Sequence, residues 1–162
     1  MIENTSEDNM KKYQHYRYML NNLKYSLEKN FYLQAVLIEY AIIEDRIESI
    51  IKHLFGENKI YNNVAKQDKK MLEAKLNYLK DNILYCSDAW IKKYVTFELI
   101  NKIKNWKKNR NAIVHSLMNR YEESNQIKDI ALEGEKLTME VINTATKVKK
   151  RLEVIRKNRR TK

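Results

Sequence analysis

Apolar residues recur at steps of three and four along most of the chain, the spacing that gathers side chains on one face of an α-helix. From about Met10 to Lys29, Tyr13, Tyr16, Leu20, Leu23 and Leu27 mark such a face, and residues 1–9, which lack it, read as a loose lead-in. Asn30 suits a cap before a second helix, from about Phe31 to Phe55 and closed by Gly56. Its apolar positions fall on two interleaved seams. One passes through Val36, Tyr40, Ile43, Ile47, Ile50 and Leu54, the other through Leu33, Leu37, Tyr40, Ile47, Ile51 and Leu54. Glu44 interrupts the second seam, and a carboxylate there needs a cation or a hydroxyl inside the fold. Arg110 is a candidate partner, while the adjacent Asp45 and Arg46 can pair with each other or across a dimer interface.

Periodicity disappears over residues 57–67, where three asparagines suit a loop. A third helix is predicted from Asp68 to about Asn82, with Leu72, Leu76, Leu79 and Ile83 on one face. Ser87 or Asp88 can cap a fourth, from about Ala89 to Met118, which is expected to break near Thr96. A turn over residues 119–125 leads to a last helix from about Gln126 to beyond Arg156. In that helix Gly134 costs about 1 kcal/mol relative to alanine, which close packing would justify. The expectation is an all-α, single-domain bundle of about five mostly antiparallel helices over residues 10–157, followed by a basic tail at 158–162.

Composition agrees with long helices, since the 162 residues include no proline and only two glycines. One cysteine, Cys86, allows no intrachain disulfide and is expected to pack rather than react. With no apolar leader and no long apolar run, the cytoplasm is the expected compartment and the membrane is not a partner. Charge adds a direction. The net +11 is concentrated between Lys147 and Lys162, where nine Lys and Arg face the single acid Glu153. Such a stretch is either an electrostatic footprint for a polyphosphate or a solvated helix end.

The candidate chemistry lies late in the fourth helix. Ile100, Ile103, Trp106, Ile113 and Leu117 form its core-facing stripe, and Arg110 falls on it, four residues after Trp106. A guanidinium aimed at the core or an interface needs a partner. Asn111 and His115 share a neighbouring face, and Arg110 and His115 are offset by roughly 140° on a straight helix.

The stretch Arg110-Asn111-x3-His115 resembles the signature of the HEPN superfamily: arginine, then a polar residue, then a histidine closing an R-x4-6-H spacing. The resemblance implies a helical bundle and, as in many members, a metal-independent ribonuclease that dimerises so that two motifs face one cleft. It also implies a toxin or antiviral growth-arrest effector, with a small nucleotidyltransferase as a possible antitoxin. A noncatalytic helical module that binds RNA or a protein partner is the alternative. The chemistry is coherent. A histidine with a pKa near 6.5 suits proton transfer at neutral pH, and an arginine fork matches phosphate oxygens. Asn111 can orient His115 or donate to phosphate.

Arg110, Asn111 and His115 are therefore the expected catalytic residues, with Glu44 and Asp45 in support. Lys104, Lys107, Lys108, Arg151, Arg156, Arg159 and Arg160 are expected to meet RNA. The 140° offset suggests a homodimer in which the arginine of one chain meets the histidine of the other, although a local kink could unite them within one chain. No cofactor or metal is expected. The three histidines are scattered without zinc-ligand spacing, no glycine-rich phosphate loop is present, and neither is a nucleophilic serine motif.

Overall fold

The computed structural model describes residues 3–56, 71–116 and 124–160. It is an all-α bundle built from α1 (Glu3–Glu28), α2 (Tyr32–Phe55), α3 (Leu72–Ile83), α4 (Ala89–Tyr94), α5 (Phe97–Ser116) and α6 (Ser124–Arg160). Segments α4 and α5 are the two halves of the fourth expected helix, so the predicted five-helix architecture holds. The break falls at Val95 and Thr96, where the Thr96 hydroxyl accepts the Leu99 N–H at 3.1 Å and starts the second half. Asp88 caps the first half by accepting from Ile91 N at 3.0 Å.

Three boundaries differ from expectation. The lead-in is helical from Glu3 rather than loose, because nothing there breaks a helix and the Glu7–Lys11 pair at 2.7 Å reinforces the turn. Asn30 terminates α1 rather than starting α2. It takes the left-handed conformation (φ 60°), and the N–H groups of Asn30 and Phe31 return to the carbonyls of Leu27 and Ser26, a Schellman-type stop. Helix α6 begins at Ser124, so residues 124 and 125 belong to it rather than to a turn. The expected loop at 57–67, the helix start at Asp68, the rest of the turn and Leu117 lie outside the described residues.

Helix α2 is the central strut, packed on α1, α3 and α6. Its buried face comprises Ala35, Val36, Ile38, Glu39, Ile42, Ile43, Ile47, Ile50 and Ile51. Only the first expected seam is therefore central. On the second, Leu33 and Leu37 remain 38% and 46% exposed, because the interior stripe passes through Glu39 instead. The α3 stripe is buried as its spacing predicts, as are Ile100, Ile103, Trp106 and Ile113 on α5 and Ile130, Leu137, Val141 and Val148 on α6, whereas Ala145, Leu152 and Ile155 further along α6 are half-buried.

Helix α1 runs antiparallel to α2, with Lys12 beside Asp45 and Arg46 over the Tyr16 ring. Helices α5 and α6 are also antiparallel, since Lys102 approaches Glu140 while Trp106 reaches Ile130. Helices α2 and α6 run the same way: Glu39 lies against Gly134, and His53 feels Lys149, Glu153 and Arg156.

Candidate functional site

Arg110 is held near the C-terminal end of α5 by neutral groups. Its guanidinium carbon lies 4.7 Å from the centroid of the Tyr40 ring of α2, and one terminal nitrogen donates to Asn111 Oδ1 at 3.0 Å. Its Nε is buried without a hydrogen-bond partner. Among the described residues no carboxylate lies within ion-pair distance of it. The expected need for a partner is met by a ring face and an amide, not by Glu44.

Glu44 instead accepts from Lys75 of α3 at 2.9 Å, and Glu48 shares the same ammonium at 2.8 Å. Asp45 pairs with its neighbour Arg46, one of the two arrangements expected, and with Lys12 at 3.8 Å. Neither carboxylate contacts Arg110, so the supporting acids expected from the sequence stand apart from the motif. Tyr40 takes that place. It was legible only as an apolar position common to both seams, and a tyrosine on the same interior as a stripe arginine was the available signal.

Asn111 has its amide oxygen turned to Arg110 and is half-buried, whereas His115 is exposed one turn further on. The structure thus brings Arg110 and Asn111 together and leaves His115 apart from them. A groove of about 380 Å³ opens beside this end of α5, between Asn109, Ala112 and Ile113 on one side and Gln126, Asp129 and Glu133 of α6 on the other.

The basic residues divide sharply. Glu73 of α3 holds Lys107 at 2.8 Å and Lys104 at 3.4 Å, and the Lys107 hydrogen bond is the main reason its carboxyl sits below the usual range. Lys104 also donates to Asn77. Arg151 donates to Asp88 at 2.9 Å. Burial would raise the Asp88 carboxyl, but the Ile91 N–H and Arg151 hold it down. These three cations therefore brace helix contacts. Lys108 and Arg156 are exposed, and the side chains of Arg159 and Arg160 lie outside the described residues.

Beneath the motif is an ionisable group that the periodicity passed over. Glu39 is fully buried, neither carboxyl oxygen has a hydrogen-bond partner, and burial together with Glu135 pushes its pKa up to about 9. It is a neutral acid at physiological pH. Its room comes from Gly134, where a Cβ would collide with Glu39 Oε2 and stand 2.8 Å from Trp106 Nε1. The close packing expected of this glycine is what forms. Trp106 Nε1 donates to Ile130 O at 3.0 Å, which fixes α5 to α6 one turn before Arg110.

Among the described residues no three His, Cys, Asp or Glu gather to hold a metal ion, and no helix is long and apolar enough to cross a membrane. No family model matches the chain, and no curated protein or solved structure matches it.

Proposed function

We propose that the chain is a metal-independent endoribonuclease of the HEPN type, acting in the cytoplasm as a toxin or antiviral growth-arrest effector. The observation that carries the proposal is the cation of Arg110, held half-buried by Tyr40 and Asn111 with no carboxylate among the described residues to neutralise it. A guanidinium fixed this way keeps its charge for an external anion, and its fork matches two phosphate oxygens. His115 then serves as the base. It takes the proton of a 2′-hydroxyl as that oxygen bonds to phosphorus, the bond to the 5′-oxygen breaks, and a protonated histidine returns a proton to that leaving group. The products are a 2′,3′-cyclic phosphate and a 5′-hydroxyl. Arg110 stabilises the charge that grows on the phosphoryl oxygens.

The active unit in this proposal is a homodimer. Arg110 and His115 diverge on one helix, and a two-fold axis lets one protomer's arginine meet its partner's histidine. The exposed Leu33 and Leu37 lie on the flank of α2 that continues to Tyr40, and they give a second copy an apolar strip beside Arg110. A small nucleotidyltransferase is the candidate antitoxin.

The test is cleavage of RNA in excess EDTA, with product ends identified by mass spectrometry. A cyclic phosphate is expected, as is its loss in His115→Ala and Arg110→Ala with helical content retained. Equal cleavage by His115→Ala would end the proposal, and binding without cleavage under any condition would favour the noncatalytic module. Mixing Arg110→Ala and His115→Ala chains should restore partial activity in purified heterodimers. A formed but inactive heterodimer would rule out simple pairing across the dimer.

A further inference from the structure

Helix α4 has only six residues and buries only Ile91, yet it carries two large aromatic side chains. Trp90 and Tyr94, four residues apart, place their ring centroids 4.4 Å from each other. Both rings are half-buried against α6, which supplies two cations. Lys147 Nζ stands 4.3 Å from the Tyr94 centroid, and the Arg151 guanidinium carbon stands 5.9 Å from that of Trp90. Asp88 fixes Arg151 at 2.9 Å, so this arginine holds the indole in place rather than meeting a ligand. Lys147 is exposed and has a flexible stem, so it can leave the ring face it covers.

A groove of about 350 Å³ opens beside the Tyr94 ring, lined by Lys93, Tyr94, Thr96, Asn143, Thr144 and Lys147 at one end. At its other end are Glu98 and Glu140, which Lys102 bridges at 3.0 and 3.8 Å. A polyanion is therefore admitted at the Lys93 and Lys147 end. Paired aromatic rings bordered by mobile cations are what a single-stranded polynucleotide requires, since bases stack on the rings while phosphates follow the ammonium groups. The basic stretch of α6 begins at this point, so the electrostatic attraction leads onto the platform.

We infer that Trp90 and Tyr94, with Lys93 and Lys147, form a stacking site for single-stranded RNA, distinct from Arg110 and His115. A base takes the Tyr94 face that Lys147 covers, and the displaced ammonium moves to the adjoining phosphate. The site goes beyond the cleavage proposal and does not need it: stacking and charge hold RNA here whether or not the strand is cut.

The ligand for the test is a 2′-O-methyl oligouridine, which lacks the attacking hydroxyl, so binding is read independently of cleavage. Trp106 is fully buried, which leaves Trp90 as the indole that a base can reach. RNA should quench tryptophan emission as it binds, and a heparin fragment, which has charge but no bases, should bind without quenching. Trp90→Phe should abolish the quenching while RNA still binds, because phenylalanine also stacks. Trp90→Leu should weaken RNA binding on the order of tenfold and leave heparin affinity unchanged. Lys147→Gln should flatten the salt dependence of RNA binding by about one counterion. RNA that fails to bind, RNA that binds without quenching, or heparin that quenches equally would each overturn the site. These outcomes are read on the wild-type chain and stand even if Trp90→Leu fails to fold.

Discussion

The two flanks of α2 treat buried charge in opposite ways. Around α3 the less exposed charges are paired: Lys75 sits between Glu44 and Glu48 of α2, and Glu73 answers Lys104 and Lys107 of α5. Hydrogen bonds from Lys52 and Lys75 outweigh burial at Glu48 and hold its carboxyl below the usual range, while Glu48 and Glu44 raise the Lys75 ammonium against its own burial. Towards α5 and α6, Glu39 has no hydrogen-bond partner, and Arg110 has only neutral ones among the described residues. Paired charges lock helices together and have little left to offer a ligand. A charge held by a ring and an amide keeps its field, and that is why Arg110, rather than the more numerous lysines of α5, is the proposed functional group.

The sharpest break in this contrast is kinetic. If Arg110 and His115 carry the chemistry, His115→Ala should lower RNA cleavage at least about a hundredfold, the usual contribution of a proton-transfer group. Glu44→Gln, on the paired flank, should leave the turnover number unchanged, and initial rates of the two variants side by side check the difference.

The paired flank should yield in stability instead. Lys75→Met leaves Glu44 and Glu48 facing each other with no shared cation. Both carboxylates retain some solvent, so the expected loss is about 2 kcal/mol, below that of a fully buried pair. Chemical denaturation measures it, and a loss below about 0.5 kcal/mol would mean the cluster is only solvated.

A comparable effect separates the flanks by pH. Folded Glu39 titrates near pH 9, far above its ordinary 4.5. Between those values the folded chain keeps a proton that the unfolded chain has released. Stability should therefore fall as pH rises across that window, by at most about 1.4 kcal/mol per unit. Glu39→Gln should remove that part of the slope, seen as a smaller difference in Tm between pH 6 and pH 8. A slope identical in both proteins would place the titration elsewhere.

The smallest expected effect converts one kind of charge into the other. Glu73→Gln frees Lys104 and Lys107, so RNA affinity should rise a few-fold and its salt dependence steepen by up to about two counterions. Affinity measured from 50 to 200 mM salt checks this, and an unaltered slope would mean the two lysines face away from bound RNA.

Much of the fold was legible in the sequence because it depends on periodicity. Leu72, Leu76, Leu79 and Ile83 are buried as their spacing requires, and Thr96 and Asp88 cap where short polar side chains at helix starts should. Glu39 was hidden by its own chemistry. It lies three residues after Val36 and four before Ile43, so spacing places it inside, but a lone carboxyl is a choice that hydropathy argues against. Gly134 was the second half of that signal, and nothing in a single sequence ties two residues 95 positions apart, 134 minus 39, into one contact. The partner of Arg110 was obscured for a related reason. Charge complementarity points to Glu44, whereas Lys75 reaches that carboxylate from α3 and leaves the arginine to an aromatic face that periodicity counts only as apolar.

The length of α6 has a consequence of its own. Gly134 marks the level of Trp106 and Lys147 that of Tyr94. The 13 residues between them span about 20 Å, and Arg110 lies a further turn, about 5 Å, along α5. On the proposed readings, α6 is a ruler of about 25 Å between the place where RNA is gripped and the place where it is cut. A strand longer than this is held and cleaved together, whereas a shorter one reaches only one end of the ruler. Digestion would therefore slow once fragments approach that size and leave a population of short oligonucleotides whose lower limit is set by helix geometry rather than by base sequence.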